Sequence, residues 1–196
     1  MVKQSSKYFI GHIKKCQICE ASDLKLFLDL GNHAVPQEYL TKEDLYEKED
    51  IYPLGLVFCK HCTLVQLTYI VPPEIVFPIH YPYRTGLTNM LVRNFNHLAK
   101  TLDVNGYIKK DNLVVDIGSN DGTLLKPFFK KGMRVVGIEP TEAADVANKN
   151  SIPTFKSFFN KESVRKVIKK HGKANIVTAT NVFAHMATLG EVMRGL

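Results

Sequence analysis

The chain has 196 residues, of which 45% are apolar and 23% charged, and its formal net charge is +7 at neutral pH. That length suffices for one good-sized core or a small module beside a larger one, and the composition is that of an ordinary globular protein. No run of about eighteen apolar residues and no secretory leader pattern occurs, so membrane insertion is not expected and a cytoplasmic location is the default.

The charge is uneven. Residues 1–60 hold eight Lys and Arg against nine Asp and Glu, whereas residues 123–175 hold twelve against four. A solvated helix face explains such an excess, and so does attraction of an anionic substrate such as a nucleotide-sugar diphosphate. A nucleic-acid partner is not expected, because no basic stripe interleaved with aromatic residues accompanies it.

In chain order, residues 1–15 read as a mobile or weakly held arm. Cys16-Gln-Ile-Cys19 and Cys59-Lys-His-Cys62 then form two C-x-x-C pairs. Each pair suits a tight turn with both thiolates aimed at one ion, and four thiolates close a tetrahedral Zn²⁺ site that is structural. Disulfides or ordinary buried thiols are the competing readings. His61 could replace a thiolate, but its position inside the second pair favours a bystander role.

The insert between the pairs reads as a strand Leu24–Leu30, a turn over Gly31 to Pro36, and an acidic segment 38–50. The run Ile51–Phe58 leads back to the second pair, and Thr63–Tyr69 leaves it as a strand. The proline-rich stretch 71–86 reads as an ordered connector carrying aromatic residues. Thr88 is placed to cap a helix running to about Leu102, with Leu91, Phe95, Leu98 and Leu102 on one apolar face.

The rest of the chain is organised around 113-LVVDIGSNDGTLL-125. Leu113–Ile117 is a short β-branched run, as in a buried parallel strand, followed by a glycine-bearing turn and the start of a helix. Gly118 and Gly122 read as positions where the backbone approaches a ligand without an intervening Cβ. The dinucleotide fingerprint is absent, since there is no G-x-G pair, and Asp116 and Asp121 disfavour a pyrophosphate. A cationic ligand fits better, and S-adenosylmethionine, with its ammonium and sulfonium, has that balance.

Strands and helices alternate from there. A strand Arg134–Ile138 ends at Glu139-Pro140, with a helix over Ala143–Lys149, and Ile152–Phe155 reads as a third strand. Asn160 caps a helix with Val164, Val167 and Ile168 inward, stopped by Gly172. Asn175–Ala179 is a fourth strand, closing in Thr180–His185. The alternation implies a parallel α/β sheet with right-handed crossovers, hence a Rossmann-like fold carrying a small N-terminal zinc-binding module. The expected domains are 1–72 for the zinc module, 73–110 for the connector and packing helix, and 111–196 for an incomplete ligand-binding domain. A sheet of four strands leaves an apolar edge, so the chain reads as the N-terminal portion of a longer protein.

Glu139 stands 21 positions after Gly118, where doubly wound folds place an acid that accepts ribose hydroxyls; a helix-capping acid is the alternative. Ser157, Phe158 and Phe159 offer an apolar wall and a polar contact for an adenine, unless the phenylalanines belong to the core. Asn181 and His185 follow the fourth strand, over the strand ends where ligands bind. An imidazole there can act as a general acid or base, or be a satisfied structural histidine. Tyr81 and Tyr83 are candidates to line the crevice, with core packing as the competing role.

These motifs together resemble the zinc-containing C-methyltransferases that act on nucleotide-linked keto-deoxysugars. The resemblance is carried by Cys16–Cys19, Asp29-Leu-Gly31 with Pro36, Tyr52-Pro-Leu54 and 59-CKHCTLVQL-67. It continues through Val71-Pro-Pro-Glu74, Tyr81-Pro-Tyr83, 116-DIGSNDGTLL-125, Gly137-Ile-Glu139-Pro140 and Asn181-Val-Phe-Ala-His185. It implies a zinc module beside a class I S-adenosylmethionine-binding domain, in which Asp116, Gly118, Ser119, Asn120, Asp121, Gly122, Glu139, Pro140, Ser157, Phe158 and Asn181 bind the cofactor. It also implies a further C-terminal domain, with additional catalytic residues beyond Leu196.

The implied reaction is methyl transfer to the carbon next to a sugar ketone through an enolate, with His185 and Tyr81 or Tyr83 near the substrate. Arg84-Thr85-Gly86 and Ala187-Thr188 depart from the family pattern, which carries serine after the second tyrosine and an acid after the histidine. An O- or N-methyltransferase of another small molecule is the alternative enzyme. A zinc-ribbon interaction module fused to a degenerate nucleotide fold is the non-catalytic reading. Oligomeric state has no signature.

Overall fold

The computed structural model describes residues 10–36, 40–186 and 189–193. Part of the expected N-terminal arm, the start of the acidic segment, and Ala187 and Thr188 lie outside the described residues. The chain divides into two compact units, Met1–Pro78 with Met186–Gly190, and Ile79–His185 with Glu191–Leu196. Among the described residues, no helix is long and apolar enough to cross a membrane.

The first unit is built from short antiparallel strands. Part of the expected arm is held: Gly11–His12 (β1) pairs with Tyr69–Ile70 (β5). Leu24–Ala34 (β2), Ile51–Cys59 (β3) and Val65–Leu67 (β4) form a three-stranded sheet in that order. The turn expected at 31–36 begins later, because Asn32, His33 and Ala34 stay paired with Pro53, Tyr52 and Ile51. A bulge absorbs the glycine: Gly31 sits at φ 81°, and its N–H donates to Asp29 Oδ1 at 2.9 Å. Long-range pairing thus overrides a local turn signal. Within the acidic segment, Asp44–Tyr46 forms one 3₁₀ turn. Pro73–Val76 (α1) closes this stretch.

The second unit carries the parallel sheet. Leu113–Ile117 (β6) is buried at every position and pairs in register with Arg134–Glu139 (β7). Thr154–Lys156 (β8) pairs with the outer side of β7, and Ile176–Thr178 (β9) pairs with the other side of β6, giving the order β8-β7-β6-β9. Both faces are covered, as such a sheet requires. On one face Asn89–Val104 (α2) brings Phe95 and Ala99 against Val114 and Val135, joined by Phe128 from Leu125–Lys130 (α3) and Ala147 from Ala143–Lys149 (α4). On the other, Lys161–His171 (α5) sets Val167 against Val115, Val136 and Ile138. Full burial of a side chain such as Phe128 contributes roughly 1.5–3 kcal/mol.

The caps are mixed. Asn160 begins α5 with a capping box, its Oδ1 accepting from the Ser163 N–H while Ser163 Oγ accepts from the Asn160 N–H. Gly172 ends α5 at φ 85°. Thr88 stands at the start of α2 without a side-chain cap bond. Ile168, expected to face inward, is 46% exposed, and the small Ser163 takes the buried place one turn before Val167. Leu189–Met193 (α6) ends the described chain.

Candidate functional site

In the first unit the two C-x-x-C pairs are built alike. The Glu20 N–H donates to Cys16 O and the Cys16 N–H to Ala21 O; the Thr63 N–H donates to Cys59 O and the Cys59 N–H to Leu64 O. Each turn is completed by a non-glycine residue in the left-handed region, Glu20 at φ 62° and Thr63 at φ 65°. That geometry brings the sulfurs together: Cys16 Sγ lies 3.5 Å from Cys62 Sγ, and Cys19 Sγ 3.6 Å from Cys59 Sγ. All four lie within 4.8 Å of one another. A disulfide would need about 2.05 Å. Four thiolates at about 2.3 Å from a central Zn²⁺ stand roughly 3.8 Å apart, close to the distances here.

The thiols differ in how readily they ionise. Burial raises Cys16, but the N–H groups of Cys19 and Ile18, the Gln66 amide and Cys62 more than offset it and bring it to about 6. The Leu64 N–H lowers Cys62, yet desolvation and the three neighbouring sulfurs carry it up to about 12. Four negative charges in so small a space need a cation, and this is a cluster that suits zinc. His61 is exposed and outside the cluster. Gln66, which sequence reasoning missed, is buried; its Oε1 accepts from the Gln17 N–H at 3.0 Å.

In the second unit the chain runs from β6 outward through β7 to β8, then crosses to β9 on the opposite side of β6. The strand ends at that reversal form the crevice where ligands of such sheets bind. Asp116 lies there, 2% exposed, and its Oδ1 accepts from the Thr178 hydroxyl at 2.7 Å. Burial raises its carboxyl, Thr178 lowers it and the charge of Glu139 raises it again, to about 7 from 3.8. Glu139, also buried, accepts from the Asn120 N–H at Oε2 (3.0 Å) and from the Thr141 N–H and hydroxyl at Oε1. Two buried carboxylates therefore flank the 118–122 turn.

The glycines have a reason the sequence did not disclose. Gly118 is at φ 67° and a Cβ on it would stand 2.6 Å from Val182 Cγ2; Gly122 is at φ 76°, where a Cβ would meet Ile152 Cγ2 at 2.9 Å. Close packing of the protein on itself demands them. Ser119, within the turn, is buried, its hydroxyl without a hydrogen-bond partner among the described residues, against Gly137, where a Cβ would stand 2.3 Å from Ser119 Oγ.

Asn120 and Asp121 turn their side chains to the segment before α2. Asn120 Oδ1 accepts from the Thr85 N–H at 2.9 Å, its Nδ2 donates to Tyr83 O, and Asp121 Oδ2 accepts from the Gly86 N–H at 2.8 Å. Tyr81 is half-buried and Tyr83 42% exposed, with ring centroids 6.5 Å apart. Ser157 joins the site through its N–H on Glu139 O. Pro140 and Phe158 are half-buried, while Phe159 packs on the second core face with Phe155. After β9, Asn181 is exposed at φ 54°, and His185 is exposed in the 3₁₀ turn Phe183–His185, its N–H donating to Val182 O. The structure thus links residues 118–122, Glu139, Ser157 and Tyr83 by hydrogen bonds, with Asp116 beside them on Thr178 and within reach of the Glu139 charge. Thr178, Thr141 and Val182 belong to it too, but a lone Thr or Val carries no sequence signal.

Comparison with known proteins agrees with both halves. Residues 90–196 match the methyltransferase-domain family, and residues 16–77 match a zinc binding domain. The C-methyltransferase NovU of Streptomyces niveus is 29% identical over 185 residues; the match takes in 94% of this chain but only 44% of NovU. Among solved structures, the plantazolicin methyltransferase BpumL in complex with SAH aligns with 54% of this chain and 40% of its own, at 19% identity and a TM-score of 0.39. The magnesium protoporphyrin IX methyltransferase ChlM from Synechocystis PCC 6803 with bound SAH aligns with 48% of this chain and 36% of its own, at 18% identity and a TM-score of 0.27.

Proposed function

We propose, from the premise that the chain belongs to the methyltransferase-domain family, that it is the cofactor-binding part of a C-methyltransferase acting on a nucleotide-linked keto-deoxysugar. The observation that carries the cofactor is the pair of buried acids, Asp116 and Glu139, beside the 118–122 turn. Their shared field suits a cation, and a bound ammonium or sulfonium would hold Asp116 ionised where burial now opposes it. Asp116 takes the charged amino-acid part of S-adenosylmethionine, and backbone groups of Gly118, Ser119, Asn120, Asp121 and Gly122 line its path. Glu139 takes the ribose hydroxyls, with Pro140, Ser157, Phe158 and Asn181 around the adenosine. Cys16, Cys19, Cys59 and Cys62 hold a Zn²⁺ whose closed thiolate shell makes it structural.

When bound, S-adenosylmethionine supplies an electrophilic methyl group. The chain's own residues prepare the acceptor: His185, or Tyr81 or Tyr83 as its phenolate, takes the proton alpha to the sugar ketone and leaves the enolate. An imidazole exchanges protons near neutral pH, which suits it to that step. The deoxysugar assignment is supported by the resemblance of the motif order and by similarity to a C-methyltransferase. The chain spans 44% of that relative's length, and the activity is assigned to the whole enzyme to which this portion corresponds.

The test is solvent exchange. With S-adenosylhomocysteine bound, a nucleotide-linked keto-deoxysugar in deuterium oxide should gain one deuterium at the alpha carbon, and His185→Ala should slow that gain. An acceptor that is methylated without any alpha exchange would shift the assignment to oxygen or nitrogen chemistry.

A further inference from the structure

The segment 79–86 is fastened across the loops that follow β6 and β7. At its start the Glu142 N–H donates to Ile79 O at 2.9 Å, and His80 Nδ1 lies 2.9 Å from Glu142 Oε1. At its end Asn120 and Asp121 take the N–H groups of Thr85 and Gly86, and Asn120 Nδ2 reaches Tyr83 O. Between these anchors the Arg84 guanidinium folds back onto the strap, donating from Nη1 to the carbonyls of both Tyr81 and Tyr83. Gly86 lies so close that a Cβ would stand 2.6 Å from Asp121 Oδ2. Arg84 thus holds the backbone of both tyrosines, Asn120 holds that of Tyr83, and Asp121 holds the glycine that ends the segment.

Asn120 makes this more than a fastening. It sits at φ 49°, left-handed, with its own N–H on Glu139 Oε2 while its amide group serves the strap. One residue thus joins the acid proposed for the ribose to the backbone that carries Tyr83. We propose that Arg84, Asn120 and Asp121 are positioning residues that hold the tyrosine-bearing strap on the cofactor loop, so that seating of the strap and occupancy of the crevice are linked. The linkage rests on the reading of the crevice as a S-adenosylmethionine site; the positioning does not. By reciprocity, a ligand that steadies the loop steadies the strap, and loosening the strap weakens the ligand.

The test is amide hydrogen exchange of the zinc-loaded chain, followed over residues 79–88, with and without S-adenosylhomocysteine. Asp121→Ala should speed exchange at 85–86 by about tenfold, the worth of a hydrogen bond to a charged acceptor, and leave β6 and β7 unchanged. Arg84→Ala, whose side chain lies outside the loop, serves where Asp121→Ala fails to fold; it should loosen 81–86 and weaken S-adenosylhomocysteine severalfold, with partial recovery in Arg84→Lys. In the unsubstituted chain the ligand should slow strap exchange. Unchanged exchange in both alanine variants overturns the positioning. Binding that leaves strap exchange untouched overturns the linkage. A chain that binds no S-adenosylhomocysteine refutes the cofactor reading and the linkage together, while the exchange of the variants still decides the positioning.

Discussion

Gly118→Ala isolates what the glycine turn is for. The residue sits at φ 67°, where a side chain costs roughly 1–2 kcal/mol in backbone strain. Its new Cβ would also stand 2.6 Å from Val182 Cγ2 and 3.4 Å from Val182 Cγ1, an overpacking that costs about 1–3 kcal/mol. The sum is on the order of 2–5 kcal/mol, enough to unfold a marginal domain. Urea unfolding followed by circular dichroism reads it. The Val182→Ala background separates the two parts: the clash goes, the strain stays, and Gly118→Ala there should cost only about 1–2 kcal/mol. A cost that is equal in both backgrounds would refute the packing argument and return the glycine to the ligand.

Cys16→Ser removes one thiolate of four, so the variant should lose its metal to a chelator concentration that the parent withstands, as read by elemental analysis, and its first unit should melt earlier; unchanged metal content and melting would contradict the centre. Burial pushes the Asp116 carboxyl up to about 7, from 3.8 for a solvated carboxyl. The folded state therefore holds the extra proton between those values, and the stability it contributes is present at low pH and lost as pH rises through about 7. Asp116→Asn should accordingly gain on the parent by on the order of 2–3 kcal/mol between pH 5 and pH 8, measured by denaturant titration at each pH. Thr63 holds a left-handed conformation with a β-branched side chain, so Thr63→Gly should raise the stability of the zinc module by about 1 kcal/mol in chemical denaturation, a loss of stability counting against the strain.

The elements that were legible are those whose signals are local. The alternation of strand and helix after Leu113, the Asn160 cap, the Gly172 stop and the apolar face of α2 all follow from periodicity and terminus chemistry, and each has its counterpart in the structure. The cysteine spacing declared the metal centre for the same reason, since two tight turns with thiols are enough to name it. What stayed hidden is what depends on partners far along the chain. Gly31–Ala34 looks like a turn until Ile51–Pro53 pairs with it. Ile168 fits an inward face until the depth of Ser163 and Val167 shows how the helix is rotated. The 118–122 turn reads from its sequence as a ligand loop, but in the structure the side chains of Asn120 and Asp121 serve Tyr83, Thr85 and Gly86 some 35 positions away, and no spacing rule connects the two.

The most direct test of the cofactor site is calorimetric titration of the zinc-loaded chain with S-adenosylhomocysteine, repeated with Asp116→Ala. Saturable binding near one equivalent, sharply weakened in the variant while its fold persists, is the predicted result. A folded, zinc-loaded chain that takes up no ligand, or one whose binding is indifferent to Asp116, would contradict the assignment of the β6–β9 crevice.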